Sequence, residues 1–345
     1  MKVDLITECS SDLTVVNAAR CSFDKQSVWD YVCSDESCTG IESCKREHLQ
    51  SVIKAADAKL IQYLATHQHW TPFAHPQEVF DLQVTDQEVF YFLYNANLSG
   101  FEWECKGYIQ GAGITIRGSL YAWCTNLQHL PLDVAKGIGY TLQERYPVSH
   151  DALKPQWTAH CQSPQGLCRV THIQYPVQRE LTSYTLRIHC PIFVKRQLET
   201  HRRNFVMTDI EDWSQNEVSR RYIDKEPEIW EPDNWRVQST DKKQGSSSDV
   251  LDGIARELAY SNYHHVTYNS LLVYKSLNNK QVAHEQSRAV LPLGMYTTFW
   301  WTGSLKSWQR MFDLRLEEHA QAETKQIAQM CYDVMMQEYA SIKVN

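Results

Sequence analysis

The chain lacks any apolar run approaching the ~18 residues that a membrane-crossing helix needs. Its opening residues, MKVDLITECSSD, also lack the charged-then-apolar order of a secretory signal. No membrane association is expected, and the expected compartment is the cytoplasm, or a host cytoplasm if the gene is viral. Close CxxC pairs are missing from the 11 cysteines, and an odd count without a signal points to reduced thiols instead of a disulfide framework. Zinc knuckles usually contain such a pair, so Cys33, Cys38, Cys44 and His48, spaced by five and then six or fewer, read first as ordinary loop residues. Cys161 and Cys168, beside His160 and His172, read the same way, and no metal site is expected. The glycines of GAGITIRG, Gly111 to Gly118, lack the G-x-G-x-x-G spacing and precede a strand-like segment, which excludes a dinucleotide loop. No tandem repeat is visible. Positive charge is scarce overall, with 34 Lys and Arg against 41 Asp and Glu, so a broad nucleic-acid surface is disfavoured.

What is present is a folding chain. At 345 residues and 43% hydrophobic content it can bury a sizeable core, as one large domain or two modest ones, and its 11 Trp and 18 Tyr are incompatible with disorder. Helical spacing of apolar residues predicts helices over 13–22 and 49–67. His67, His69 and His75 then fall around the Pro72 break, in a loop where side chains can face a ligand. Glu78 to Val84, Val89 to Tyr94, Ile114 to Trp123 and Cys168 to Val177 read as strands around a helix from Leu132 to Arg145. Ser183 to Cys190 reads as a strand entering Pro191, whose fixed φ suits the first turn of a helix through Gln197. Residues 225–250 read as extended loop, with Asp249 placed to cap a helix reaching about Leu277. The last helix is expected from Glu318 to Tyr339, where Ala320, Ile327, Met330, Cys331, Val334 and Met335 form a core stripe.

The cations that do occur are concentrated. Behind the apolar Ile192, Phe193 and Val194 come Lys195, Arg196, His201, Arg202 and Arg203, and further on the string Asn-Glu-Val-Ser-Arg-Arg-Tyr, residues 216–222. Cations, hydroxyls and backbone N–H groups in one place suit a phosphorylated guest with a base edge to be read. Ser219 has no base fixed beside it in sequence, so it reads as a binding and orienting hydroxyl instead of a nucleophile.

Ser214, Asn216, Glu217, Ser219, Arg221 and Tyr222 form SxNExSxRY. With the preceding RQxxxHR segment this resembles the signature of the flavin-dependent thymidylate synthases. VNAARCSFD (Val16 to Asp24), LIQYLATHQHWTPFAH (Leu60 to His75) and the segment from Ser287 to Glu323 agree with the same family in order and content. The resemblance covers somewhat under half of the chain. It implies an α+β fold, a mixed or antiparallel sheet flanked by helices, formed by residues 1–75 and 184–345, with 76–183 as a large α/β insertion of unknown role. It also implies a methyltransferase that methylates dUMP to dTMP. Methylenetetrahydrofolate is then the carbon donor, NADPH the reductant and FAD the cofactor, in a homotetramer whose active sites combine residues of several subunits.

Residue by residue, the resemblance places dUMP on Gln197, Glu217, Val218, Ser219, Arg221, Tyr222, Arg288 and Arg315. Arg315, Glu217 and Ser219 are then the residues nearest the chemistry. FAD falls on Ser22, His69, Thr71, His201, Arg202, Asn216, Glu217, Ser304 and Arg310. The departures lie on the cofactor side. Thr200 replaces the first arginine of the family's RHR, and Ala74 replaces an acidic residue. Ser304 and Arg310 stand where flavin-touching asparagines occur, and thirteen residues separate Arg202 from Asn216, more than the family pattern has. Two rivals stay open on those grounds: a related hydroxymethylase or methylase with a changed product or with dCMP as substrate, and a non-catalytic nucleotide-binding paralogue.

Overall fold

The computed structural model describes residues 1–7, 10–34, 49–96, 101–106, 113–153, 170–172, 182–201, 214–223, 225–239 and 246–342. Strand β1 (Lys2–Ile6) and helix α1 (Asp12–Cys21) are followed by the paired strands β2 (Asp30–Cys33) and β3 (Leu49–Val52) and by helix α2 (Ala55–Thr66). A 3-10 turn, Thr71–Ala74, leads into β4 (Gln77–Gln83), α3 (Asp86–Asn95), β5 (Phe101–Lys106) and β6 (Gly113–Ser119). Helices α4 (Leu120–Asn126), α5 (Leu132–Arg145) and α6 (Pro147–Leu153) precede β7 (Val170–His172). Next come β8 (Ser183–Pro191), α7 (Ile192–Leu198), β9 (Ser214–Glu217), β10 (Arg236–Gln238), β11 (Ser246–Val250) and the long α8 (Gly253–Asn279). The chain closes with α9 (His284–Ser287), β12 (Tyr296–Ser304), α10 (Leu305–Arg315) and α11 (Ala322–Ile342).

Two four-stranded antiparallel sheets organise these elements, one in the order β1-β8-β12-β9 and the other β5-β6-β4-β7. Helices pack against both, so the chain adopts the expected α+β class. In the first sheet, Leu186, Ile188 and Cys190 of β8 and Phe299 and Trp301 of β12 alternate toward Trp308, Met311 and Phe312 of α10 and Ile327, Cys331 and Met335 of α11. Of the expected stripe, Ile327, Cys331 and Met335 are core and Met330 and Val334 pack against it half-buried, whereas Ala320 lies outside the helix, which begins at Ala322 instead of Glu318. In the second sheet, Phe80, Leu82, Ile114 and Ile116 meet Trp123, Ile138 and Leu142 of α4 and α5.

Helix α1 lies between the two cores and is buried nearly all round, as an apolar helix must be when sheets flank both faces. Leu13, Val15, Val16 and Ala19 join the second sheet's core, while Ala18 and Cys21 press on Trp300 of β12. Its polar residues are satisfied inside. The Asp12 carboxylate accepts from the N–H groups of Val148 and Ser149 at the start of α6, at 2.9 and 2.8 Å. Asp57 of α2, 1% exposed, accepts from Arg20 and from Ser27.

The differences from sequence expectation have local causes. Residues 49–52 are an edge strand, and the expected 49–67 helix starts only at Ala55. Val89 to Tyr94 is helical because Thr85 and Glu88 form a reciprocal capping box, a T-x-x-E signal that outweighs the β-branched and aromatic content. The strand from Ile114 ends at Ser119, whose hydroxyl caps α4. Within 225–250, β10 and β11 pair, and the residue before α8 is Asp252 instead of Asp249. Pro191 occupies the N-cap of α7, one position before the first turn. Cys38, Cys44, His48, Cys161, Cys168 and His160 lie outside the described residues. Among the described residues, no cluster of potential metal ligands occurs and no helix is long and apolar enough to cross a membrane.

Candidate active site

A cleft of about 750 Å³ opens where α7, the end of β9, the loop after it and the residues before β12 converge. Helix α7 presents Lys195, Arg196 and Glu199, the NEVSRRY segment presents Glu217 to Arg221, and the turn around α9 presents Glu285 and Arg288. Ser22, at the end of α1, closes the wall. Pairing of β9 with β12 sets the segment's direction, and two further backbone bonds extend it. Val218 N–H donates to Thr298 O at 2.8 Å, and Ser219 N–H to Ser22 O at 2.9 Å.

The charges in this cleft are organised. Lys195, 6% exposed on α7, pairs with Glu199 one turn on and with Glu217 at 3.2 Å, and lies over the Phe299 ring. Glu217 also accepts from Thr297 Oγ1 at 2.6 Å, so its carboxylate is held from two sides. Beyond that pair, Arg196, Arg220, Arg221 and Arg288 line the cleft together with Glu285. Arg221 donates through Nε to Ser219 Oγ at 3.2 Å and lies over the Tyr222 ring, which stacks on Phe23 at 4.6 Å. Arg288 reaches its own turn, donating to Glu285 O at 3.4 Å. The mouth thus offers guanidinium forks and a hydroxyl, which suit a phosphate.

Of the residues assigned to dUMP from sequence, Glu217, Val218, Ser219, Arg221 and Arg288 share this cleft, with Tyr222 at its edge on Phe23. Gln197 and Arg315 lie elsewhere in the chain. Gln197 bonds Gln321 and Thr324 of the α11 region. Arg315, the last residue of α10, donates to His201 Nε2 at 2.8 Å, to Thr200 Oγ1 at 2.9 Å and to Gln197 O at 3.0 Å. His201 is pushed down to about 4 by burial and by the guanidiniums of Arg315 and Arg310, so it stays neutral and accepts from Arg315. Thr200 is thus a ligand of Arg315 in the place where a first arginine would have repelled it.

The residues assigned to the cofactor fall into three groups. Ser22 and Glu217 line the cleft, and His201 and Arg310 belong to the Arg315 cluster. His69 and Thr71 are exposed beside the 3-10 turn, where Tyr63 stacks with His67 at 4.0 Å and with His69 at 6.3 Å. Asn216 is turned inward, its Oδ1 3.0 Å from Nε2 of His75. Ser304 is a correction: it is fully buried and its hydroxyl caps α10, accepting from Ser307 N–H at 3.1 Å, so it has no surface for a flavin. Arg202 lies outside the described residues, as does Arg203. Exposed imidazoles and a threonine beside stacked aromatic rings fit a flat heteroaromatic group.

Sequence reading missed Arg220, Glu285, Glu199 and Thr297 as cleft residues, and named Lys195 and Arg196 only as part of a charge cluster. It also missed His75 as a tie. The ring is 0% exposed, with Nδ1 2.7 Å from Thr302 Oγ1 and Nε2 at Asn216, and burial pushes it down to about 4. Ser214 Oγ adds a bond to Ala74 O at 3.0 Å, so the turn before β4 is fastened to the strand that carries the motif.

The chain is similar in sequence to proteins of one family. Residues 170–339 match the family model described as thymidylate synthase complementing protein. A flavin-dependent thymidylate synthase of Thermus thermophilus is 33% identical over 45% of this chain and 53% of its own, so the chain matches about half the length of that relative. One of Aquifex aeolicus is 26% identical over 95% of this chain and 94% of its own, a match that runs through residues 76–183. Among solved structures, a UMP/dUMP methylase PolB from Streptomyces cacaoi bound with 5-Br dUMP aligns at a TM-score of 0.41 and 16% identity over 97% of this chain and 90% of its own. The match to the thymidylate synthase complementing protein family is carried by residues 170–339, just under half of the chain.

Proposed function

We propose that the chain is a flavin-dependent thymidylate synthase that methylates dUMP at C5, with methylenetetrahydrofolate as carbon donor and NADPH as reductant. The observation that carries this reading is that Ser219, Arg221 and Arg288 line one cleft with Glu217, whose carboxylate is fixed by Lys195 and Thr297. The phosphate of dUMP meets the Ser219 hydroxyl and the two guanidiniums, and Glu217, unable to swing, offers an acceptor of fixed direction to the sugar or base. Among the described residues the cleft holds no imidazole beside Ser219, whose oxygen accepts from Arg221, an arrangement that suits orientation. Bound FAD, held by Ser22, His69 and Thr71, supplies the reducing equivalents. Because C5 of uracil is a weak nucleophile, the chain's contribution is placement and electrostatics more than proton transfer.

Assembly completes the account. Arg315, Gln197 and His201 form a linked group outside the lining of the cleft, and we assign that group to the site of a neighbouring copy in a homotetramer. Ile254 and Leu258, one turn apart at the start of α8, are 80% and 56% exposed, an apolar pair suited to such a copy. Incubating the protein with dUMP, methylenetetrahydrofolate and NADPH and weighing the nucleotide product tests the reaction. A product one methyl group heavier than dUMP is expected. A hydroxymethyl product, or turnover of dCMP instead, would replace this assignment with its rival.

A further inference from the structure

We infer that residues 77–172 are a second, rearranged copy of the unit that carries the nucleotide cleft, and that this copy has lost the cleft, so each chain, though built of two units, binds one nucleotide. The sheets correspond strand for strand: β7-β4-β6-β5 repeats β1-β8-β12-β9, antiparallel throughout. The registers correspond as well. Glu78 pairs with Gly118 as Tyr184 pairs with Gly303, and Phe80 pairs with His172 as Leu186 pairs with Leu5. On the other side, Arg117 pairs with Glu102 as Thr302 pairs with Ser214.

Details that a chance likeness would not share repeat too. Gly118-Ser119-Leu120 and Gly303-Ser304-Leu305 each end a central strand and begin a helix, and each serine hydroxyl accepts from the N–H three residues on, at 3.1 Å in both. The following tryptophans, Trp123 and Trp308, are fully buried and donate their indole N–H to the carbonyl opposite the glycine, Glu78 O at 3.2 Å and Tyr184 O at 3.3 Å. Helix α3 follows β4 as α7 follows β8, Asp86 standing to Glu78 as Ile192 stands to Tyr184. Buried Phe80, Leu82 and Val84 take the places of buried Leu186, Ile188 and Cys190. Helix α5 packs on the edge strand β7 as α11 packs on β1. That edge strand comes last in one unit and first in the other, and α8 is inserted in only one, so no single sequence period exposes the repeat.

The same correspondence shows what was lost. Lys195, Arg196 and Gln197 on α7 are matched by Val89, Phe90 and Tyr91, and Glu217 by Cys105. An anion has no reason to enter. The copy instead covers α1 and follows directly on the turn whose His75 holds Asn216 and Thr302, acting as an in-chain partner to the cleft-bearing unit.

The stoichiometry rests on the nucleotide reading, and the test separates the two. Equilibrium dialysis of the full chain with dUMP should give one site per chain, weakened at least about tenfold by Arg221→Ala. Two sites per chain, or full binding by the variant, would overturn the inference. Absence of any dUMP binding by the wild type sinks the nucleotide reading, and the repeat is then decided by hydrogen exchange. Trp123→Phe should loosen the β4–β6 ladder, Trp308→Phe should loosen the β8–β12 ladder, and each should spare the other; an unaffected β4–β6 ladder in Trp123→Phe contradicts the correspondence.

Discussion

At the scale of the residue, the cleft depends on side chains fixed by their neighbours before any guest arrives. Glu217 is aimed by Lys195 and Thr297, and Arg221 by Ser219 and Tyr222, so little side-chain freedom is left to lose on binding. Arg288→Ala should weaken dUMP binding about tenfold or more while leaving bound FAD in place, measured by titration against flavin absorbance. The inward His75 yields a prediction of another kind. Its folded-state value lies near 4 against an ordinary 6.5, so the unfolded chain binds the extra proton first. Stability should hold above pH 6.5 and fall as pH drops toward 4, by on the order of 3 kcal/mol from this group. Denaturant titrations across that range should show a shallower fall for His75→Gln, and an identical slope would remove His75 from the explanation.

At the scale of the element, local chemistry decides where helices begin, and here the sequence was legible to different depths. The strand before Pro191, the α5 helix and the α11 stripe follow from spacing and Pro placement alone. The α3 helix was misread because valine, phenylalanine and tyrosine suggest a strand, whereas Thr85 and Glu88 satisfy the first N–H groups and tip the balance to helix. Ser304 shows the limit for site residues. Alignment with a family position made it a cofactor contact, yet the end of β12 buries it as a helix cap. Ser304→Ala should therefore cost about 1 kcal/mol of stability in chemical denaturation and leave flavin content unchanged, while Ser304→Asn should retain most of the cap. Loss of flavin without loss of stability in Ser304→Ala would restore the cofactor role. The motif residues were readable because contiguous strings keep their neighbours on folding. Lys195, Glu199, Glu285 and Thr297 were not, because only the convergence of separate elements makes them neighbours.

At the scale of the whole molecule, the described residues form a cleft of guanidiniums and a hydroxyl and, outside its lining, an Arg315 cluster that the proposed function assigns to the site of a neighbouring copy. If sites are shared between copies, Arg221→Ala and Arg315→Ala should each be inactive alone, and mixing them under conditions that exchange subunits should restore part of the activity. No recovery, with exchange demonstrated by mass, would place Arg315 with its own cleft. The claim on which the rest depends is that this fold joins dUMP and a flavin in one reaction, and an anaerobic visible spectrum tests it most directly. The account expects yellow protein that NADPH bleaches and that regains its colour only when dUMP and methylenetetrahydrofolate are both added. Colourless protein that takes up no FAD, or colour that returns equally well without dUMP, would contradict it.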